Sequence, residues 1–147
     1  MPVSEAEQQV ELLLFRLAGR GYATWRDEVE EVVDIGGGQP PVPGLPSSSL
    51  AALHAEDTRV SLVSMRLALG LPDAGPEGRI LVVTGRQGRV GFLVDEVTGI
   101  VSVPSEQVKA LPSRLGSRYV SATVQAGDEA WSIVKWSAIK LPAGTRR

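Results

Sequence analysis

The sequence predicts an all-β fold, a barrel or a sandwich, in place of a doubly wound α/β sheet. Roughly nine or ten short apolar segments rich in valine, isoleucine and leucine follow one another, with glycine, proline or aspartate between most of them. Helical patterns are few and short. The 147 residues are 43% hydrophobic, which is enough for the core of one domain or of two small, closely packed lobes.

The N-terminal part predicts a hairpin. Val10–Leu17 is rich in apolar residues and forms the first strand, Gly19–Gly21 (GRG) offers a turn, and Tyr22–Trp25 resumes an extended pattern.

The next two segments predict a third strand and a long surface loop. In Glu28–Ile35, Val29, Val32 and Val33 fit a helical turn as well as a strand. Their β-branched side chains favour a short turn that leads into a strand. Glycines and prolines in Gly36–Ser49 argue against a central strand there.

The middle of the chain predicts a strand, a helical turn and the clearest hairpin. Arg59–Leu71 begins with strand-like alternation and closes as a helical turn at Gly70. Arg79–Gly85 and Arg89–Val97 are dense in aliphatic residues, and Gly88 supplies the turn between them.

A further strand and a helical turn follow this hairpin. Thr98–Pro104 forms the strand, after a break at Gly99. Ser105–Leu111 predicts one helical turn, with Ser105 as its N-cap and Val108 facing inward.

The C-terminal part predicts a second hairpin and a short helix. Tyr119–Val134 forms the hairpin, with its turn at Ala126–Asp128, and Lys135–Leu141 forms the helix.

Composition excludes several classes of function. The net charge of −2 gives no basic excess for nucleic acid, and the absence of cysteine removes disulfides, thiolate catalysis and cysteine zinc sites. The first residues do not resemble a signal peptide, and no apolar run approaches the ~20 residues of a membrane span. We therefore expect a soluble, cytoplasmic protein.

The segment HAED raises the possibility of a metal or acid–base site, because His54, the only histidine, lies close to Glu56 and Asp57. A metal needs three or more convergent ligands, and neighbouring strand residues point to opposite faces. No G-x-S-x-G nucleophile elbow and no phosphate-binding loop is present. These residues therefore favour a solvated loop over a site, and we expect no enzyme activity, metal or cofactor. A small enzyme that uses the three residues stays the alternative.

The tryptophans have two interpretations. They fill the core or the interface between lobes, or they form a ligand cage or binding surface, because tryptophan is enriched at binding hot spots. Core packing is favoured for all of them: Trp25, Trp131 and Trp136.

The segment Arg89–Val103, RVGFLVDEVTGIVSV, follows a "VGLLVDEVxGV" pattern and resembles the CheW family, the adaptors of bacterial chemosensory arrays. Other segments follow the order of that family over about residues 10 to 141: LLFRLAGRGYAT, VEEV at Val29–Val32, the proline-rich loop, VSLVSMRLALGL and YVSATVQAGDEAWSIV.

The resemblance implies two intertwined five-stranded SH3-like β-barrel subdomains with few short helices. It implies one such domain at residues 10–141, between a flexible tail at 1–9 and a C-terminal tail at 142–147. The implied function is that of a non-enzymatic adaptor, without cofactor and monomeric alone, in a chemosensory or motility pathway. It would scaffold a chemoreceptor tip and the regulatory domain of a CheA-type histidine kinase.

The resemblance also implies partner-facing residues. The kinase-facing candidates are Val29, Glu31 and Val32, although both valines also fit ordinary core positions. The receptor-facing candidates are Glu56, Asp57, Val90, Phe92, Val94 and Asp95. For Asp95, the alternative is that the carboxylate caps or tethers a neighbouring loop.

One turn departs from the family. Glu56 and Asp57 stand where the family has Arg-Gly, and the arginine belongs to its receptor-facing surface. A reversed charge disfavours an unchanged partner and favours a complementary one. The sequence therefore predicts altered partner specificity at this turn. The alternative is a degenerate paralogue that binds a receptor or another protein without recruiting the kinase.

Overall fold

The computed structural model describes residues 8–35, 41–49, 61–71, 78–85, 88–111 and 119–136. These ranges are mostly β-structure with one short helix, α1 (Met65–Ala68), and 3₁₀ turns at Arg26–Glu28 and Ser105–Gln107. The strands are β1 Gln9–Leu17, β2 Arg20–Trp25, β3 Val29–Asp34, β4 Ser47–Ser49, β5 Ser61–Ser64, β6 Arg79–Gly85, β7 Gly88–Val94, β8 Glu96–Pro104, β9 Val108–Ala110, β10 Val120–Ala126 and β11 Glu129–Val134.

The strands form two sheets, which confirms the all-β prediction. One sheet has the order β8-β1-β2-β11-β10-β9 and the other has the order β4-β3-β6-β7-β5. The first sheet therefore has six strands where the family resemblance implied five. Most pairs are antiparallel, and β2–β11, β3–β4 and β5–β7 are parallel.

The chain crosses between the sheets at short connections. The 3₁₀ turn Arg26–Glu28 leads from β2 in the six-stranded sheet to β3 in the five-stranded sheet. The return from β7 to β8 takes one residue, Asp95, which therefore lies at the boundary between the two sheets.

Strand β1 is buried on both faces. Leu12 and Leu14 join one apolar cluster with Trp131, whereas Leu13 and Phe15 join a second cluster. Because successive strand residues point to opposite faces, a continuous apolar run predicts burial on both sides. The second cluster takes residues from both sheets, and we call it the shared core.

Strand β6 repeats this pattern in the five-stranded sheet. Leu81 and Val83 point into the shared core, whereas Ile80 and Val82 pack with Val33 in a third cluster. Both sheets therefore have apolar faces on two sides, and the shared core joins them, as intertwined lobes require.

A β-bulge explains the ambiguous pattern of β3. The register against β6 shifts between Val29 and Glu31, so Glu30 is the extra residue. As a result Val29 and Val32 both reach the shared core although they are three positions apart. The prediction of a short turn that leads into a strand is confirmed.

Two predictions about β8 and its surroundings were wrong. Gly99 does not break the strand but lies inside β8, at φ 145° beside a register shift opposite Leu14 and Phe15. Ser105 does not cap its turn with its side chain, because Pro104 occupies the N-cap position and the Ser105 N–H donates to the Gln8 carbonyl.

Other boundaries also differ from the predictions. The first hairpin turns at Ala18–Gly19, because Leu17 pairs with Arg20. Val108 packs against an apolar cluster, as predicted, but it begins β9 instead of lying in a helical turn that continues to Leu111. At the end of the proline-rich loop, β4 adds a short strand at the sheet edge, where proline and glycine nearby are tolerated.

The remaining hairpins and the short helix agree with the sequence prediction, except that the predicted arm Arg89–Val97 ends at Val94, and Glu96 and Val97 begin β8 in the other sheet. Strands β6 and β7 pair as far as Gly85 and Gly88, and β10 and β11 pair as far as Ala126 and Glu129. Helix α1 follows β5, and Gly70 ends this turn at φ 79°. The predicted helix at Lys135–Leu141 lies outside the described residues beyond Trp136. Among the described helices, none is long and apolar enough to cross a membrane.

Candidate functional site

The kinase-facing candidates divide between the core and the surface. Val29 and Val32 are buried in the shared core, which is the structural interpretation left open for them. The side chain of Glu31 is 14% exposed. The neighbouring acidic residue of the bulge, Glu30, is exposed.

An arginine from a different strand binds both of these acidic residues. Arg89 of β7 donates from Nη2 to Glu31 Oε2 at 2.7 Å and from Nε to Glu30 Oε1 at 3.0 Å. The Glu30 side chain is 41% exposed and that of Arg89 is 23% exposed. We call this group the Arg89 fork.

Sequence reasoning did not find Arg89 or Glu30. Arg89 is 58 positions from Glu31, and no local spacing indicates their contact. The available signal was the three-residue separation of Val29 and Val32, which in a strand requires a bulge before both can face the core.

Three receptor-facing candidates are core residues. Val90, Phe92 and Val94 are all buried in the shared core. Their exposures of 8%, 3% and 0% leave little or no side-chain surface for a partner in this conformation, and all three pack the shared core. The reason is the alternation of β7, which directs them inward.

Asp95 joins three segments of the chain. One carboxylate oxygen accepts a hydrogen bond from the Ala18 N–H at 2.9 Å, and the other accepts one from Arg66 Nε at 2.9 Å. The Asp95 N–H donates to the Arg16 carbonyl at 3.2 Å. The hydrogen bonds from Arg66 hold the pKa of the Asp95 carboxyl below its ordinary value.

The contact with Ala18 supports the tether interpretation of Asp95. Ala18 has φ 52°, a left-handed conformation that costs energy for a residue with a Cβ atom. The Asp95 carboxylate fixes the N–H of this turn while it pairs with Arg66 on α1. It thereby connects the β1–β2 turn to the helix that follows β5.

A second ion pair extends these polar contacts across the six-stranded sheet. Arg16 donates to both carboxylate oxygens of Glu129 at 2.9 Å, and its guanidinium lies 4.5 Å from the centre of the Trp131 ring. The guanidinium lowers the pKa of the Glu129 carboxyl. We call the line Arg66–Asp95–Arg16–Glu129 the polar seam. It crosses from one sheet to the other.

The tryptophans pack in the cores. Trp131 is buried, and Trp25 packs against the same cluster. Trp136 packs against the shared core, where its ring lies 4.4 Å from that of Phe92, and its Nε1 donates to Thr24 Oγ1 at 2.8 Å. Core packing, the favoured interpretation, accounts for these positions.

His54, Glu56 and Asp57 lie outside the described residues. Within the described part of the chain, no group of three or more histidine, cysteine, aspartate or glutamate side chains is arranged to hold a metal ion. What the described residues do present is two sheets joined by a shared core, with the Arg89 fork and the polar seam at their surface. These features define an all-β module of two sheets around a shared core.

Comparison with known proteins identifies the module. The CheW-like domain family matches residues 11–140, and the chain belongs to that family. CheW-like proteins are non-enzymatic scaffolding and adaptor proteins of chemotaxis.

Two relatives illustrate the likeness. The chain is 25% identical to the chemotaxis protein CheW of Bacillus subtilis (strain 168) over 113 residues, which cover 74% of this chain and 70% of that protein. The crystal structure of the scaffolding protein TtCheW from Thermoanaerobacter tengcongensis has the same fold. It matches with a TM-score of 0.65 at 17% identity, over 87% of this chain and 90% of that one.

Proposed function

We propose that this chain couples a chemoreceptor to a kinase. It binds the cytoplasmic tip of the receptor and the regulatory domain of a CheA-type histidine kinase, and it holds them together without chemistry of its own. The observation that carries this proposal is the family match over residues 11–140, which spans nearly the whole chain. The protein then acts in the cytoplasm, at the receptor arrays.

The described surface supports a separate binding surface for each of the two partners. The outer side of β3 carries the exposed carboxylate of Glu30 beside Glu31, and we assign this strand to the kinase. Asp95 lies on another part of the chain, at the boundary between the sheets, and we assign its surroundings to the receptor. Separate surfaces allow both partners to bind at once.

Calorimetric titration tests this proposal. The purified chain is titrated separately with the kinase regulatory domain and with a receptor tip fragment. Saturable binding of both is expected. Binding of the receptor fragment alone would identify the degenerate paralogue, and binding of neither would contradict a coupling function.

We further propose that the segment Glu56–Asp57 changes which receptor is bound. Its support is the sequence: two acidic residues stand where the family has Arg-Gly, and reversed charge selects against an acidic partner surface. The double substitution Glu56→Arg with Asp57→Gly is expected to alter receptor affinity and leave kinase affinity unchanged. Unchanged affinity for every receptor fragment would show that this segment does not set specificity.

A further inference from the structure

We infer that Arg89 is a positioning residue for the kinase-facing strand. It holds the bulge of β3 in place and thereby determines which carboxylate of the bulge contacts the kinase. This inference rests on the proposed function for its binding readout, whereas the conformation of β3 can be measured without any partner.

The bulge brings two carboxylates close together, and Arg89 compensates their charge. Glu30 is the extra residue at the register shift, so β6 offers it no cross-strand partner in the ladder. The carboxylates of Glu30 and Glu31 both bind the guanidinium of Arg89, so they lie close together, and like charges that lie close together repel each other. Arg89 contacts one oxygen of each carboxylate, at 3.0 Å and 2.7 Å.

The chemistry of the fork requires arginine. A guanidinium presents several donors in a fixed plane and can bind two carboxylates at once, whereas a lysine ammonium is a compact point charge. Arg89 binds Glu30 through Nε and Glu31 through Nη2. One side chain of β7 thereby anchors two consecutive residues of β3, across the intervening strand β6.

The two glutamates of the fork differ in their exposure to solvent. Glu31 is 14% exposed and Glu30 is 41% exposed, so a docking protein meets Glu30 first. The kinase-contacting carboxylate is therefore that of Glu30, and Glu31 serves to hold the bulge.

Two substitutions of Arg89 test this assignment, with Arg20→Gln as the matched control because Arg20 is exposed on β2 of the other sheet. Arg89→Gln is expected to weaken binding of the kinase regulatory domain about tenfold, and Arg89→Lys by less, because lysine restores the charge without the planar fork. Affinity for the receptor tip fragment is expected to stay unchanged. Equal losses for both partners, or none with Arg89→Gln, would overturn the inference.

A double-mutant cycle separates positioning from direct contact. In a chain that already carries Glu30→Gln and Glu31→Gln, Arg89→Gln is expected to cause no further loss of kinase affinity, because the fork no longer exists. An additive loss would mean that Arg89 touches the kinase itself, which contradicts its role as a positioning residue.

Hydrogen exchange distinguishes a failure of this inference from a failure of the proposed function. In the free protein, Arg89→Gln is expected to speed amide exchange in β3 and to leave β10 and β11 unchanged. Local acceleration in β3 without kinase binding by the wild type would reject the coupling function while supporting the positioning role. Unchanged exchange in β3 would overturn that role.

Discussion

At the scale of single residues, Asp95 holds several distant segments of the chain together through its hydrogen bonds. It is the one residue between β7 and β8, and its carboxylate serves Ala18 and Arg66 together. The sequence motif VDEV marked this aspartate, and its structural interpretation named a tether. The identity of Arg66 could not be predicted, because 29 positions separate the two residues and only the folded sheets bring them together.

Asp95→Asn is expected to destabilise the protein by about 1–3 kcal/mol, because an amide cannot replace the charge-assisted hydrogen bonds to Arg66 and Ala18. Urea unfolding measures the change. Glu106→Gln, at an exposed acid in the 3₁₀ turn before β9, is the control and is expected to be neutral. A wild-type free energy of unfolding for Asp95→Asn would show that the tether adds nothing to stability.

The same carboxylate predicts a pH dependence. Its pKa in the folded state lies below the ordinary value of 3.8, so its contribution is present at pH values above 3.8. It is lost as the pH falls below 3.8 and through the pKa of the folded state. The stability difference between the wild type and Asp95→Asn is therefore expected to shrink on acidification, which urea unfolding at a series of pH values measures. A difference that grows below pH 3.8 would contradict this sign.

Crowding at Gly21 gives another prediction at the residue scale. A Cβ atom there would lie 2.6 Å from Trp131 Cε3, and Trp131 is buried beneath the Arg16 guanidinium. Gly21→Ala is expected to cost about 1–3 kcal/mol, and Gly21→Ser more, because the added atoms must displace the indole. Thermal unfolding measures the loss of stability, with Ser121→Ala at an exposed position of β10 as the control. Equal stabilities of Gly21→Ala and the control variant would contradict the prediction.

At the scale of elements, the apolar runs predicted where the strands lie but did not predict the β-bulges within them. The runs in β1 and β6 are continuous because both faces of each strand are buried. The bulges in β3 and β8 depend on registers with distant partners, which local spacing does not specify. For this reason Gly99 was interpreted as a break, although it is the residue that allows β8 to continue past a register shift.

Substitutions at Gly99 and at Gly21 are expected to destabilise the protein for different reasons. A Cβ atom at Gly99 would meet nothing within 4 Å, yet its φ of 145° is a conformation that other residues rarely adopt. Gly99→Ala is therefore expected to cost about 1–3 kcal/mol through backbone strain, and Gly99→Ser about the same. Ser102→Ala on the same strand is the control. A cost that rises with side-chain size at Gly99 would indicate crowding instead.

At the scale of the whole molecule, the shared core explains why three of the predicted receptor-facing residues are buried. The family pattern named β7 residues, but a strand between two apolar layers turns Val90, Phe92 and Val94 inward. The motif predicted the fold around them and could not show which side chains keep a surface. Glu30, Arg89 and the polar seam supply that surface, and all of them depend on contacts between distant segments.

Simultaneous binding tests the coupling function most directly. The kinase regulatory domain, the receptor tip fragment and this chain are mixed, and the mass of the complex is measured by size-exclusion chromatography with light scattering. A single species that contains all three is expected, and the two partners are expected not to associate when this chain is left out. Mutually exclusive binding of the two partners, or no complex at all, would contradict the account.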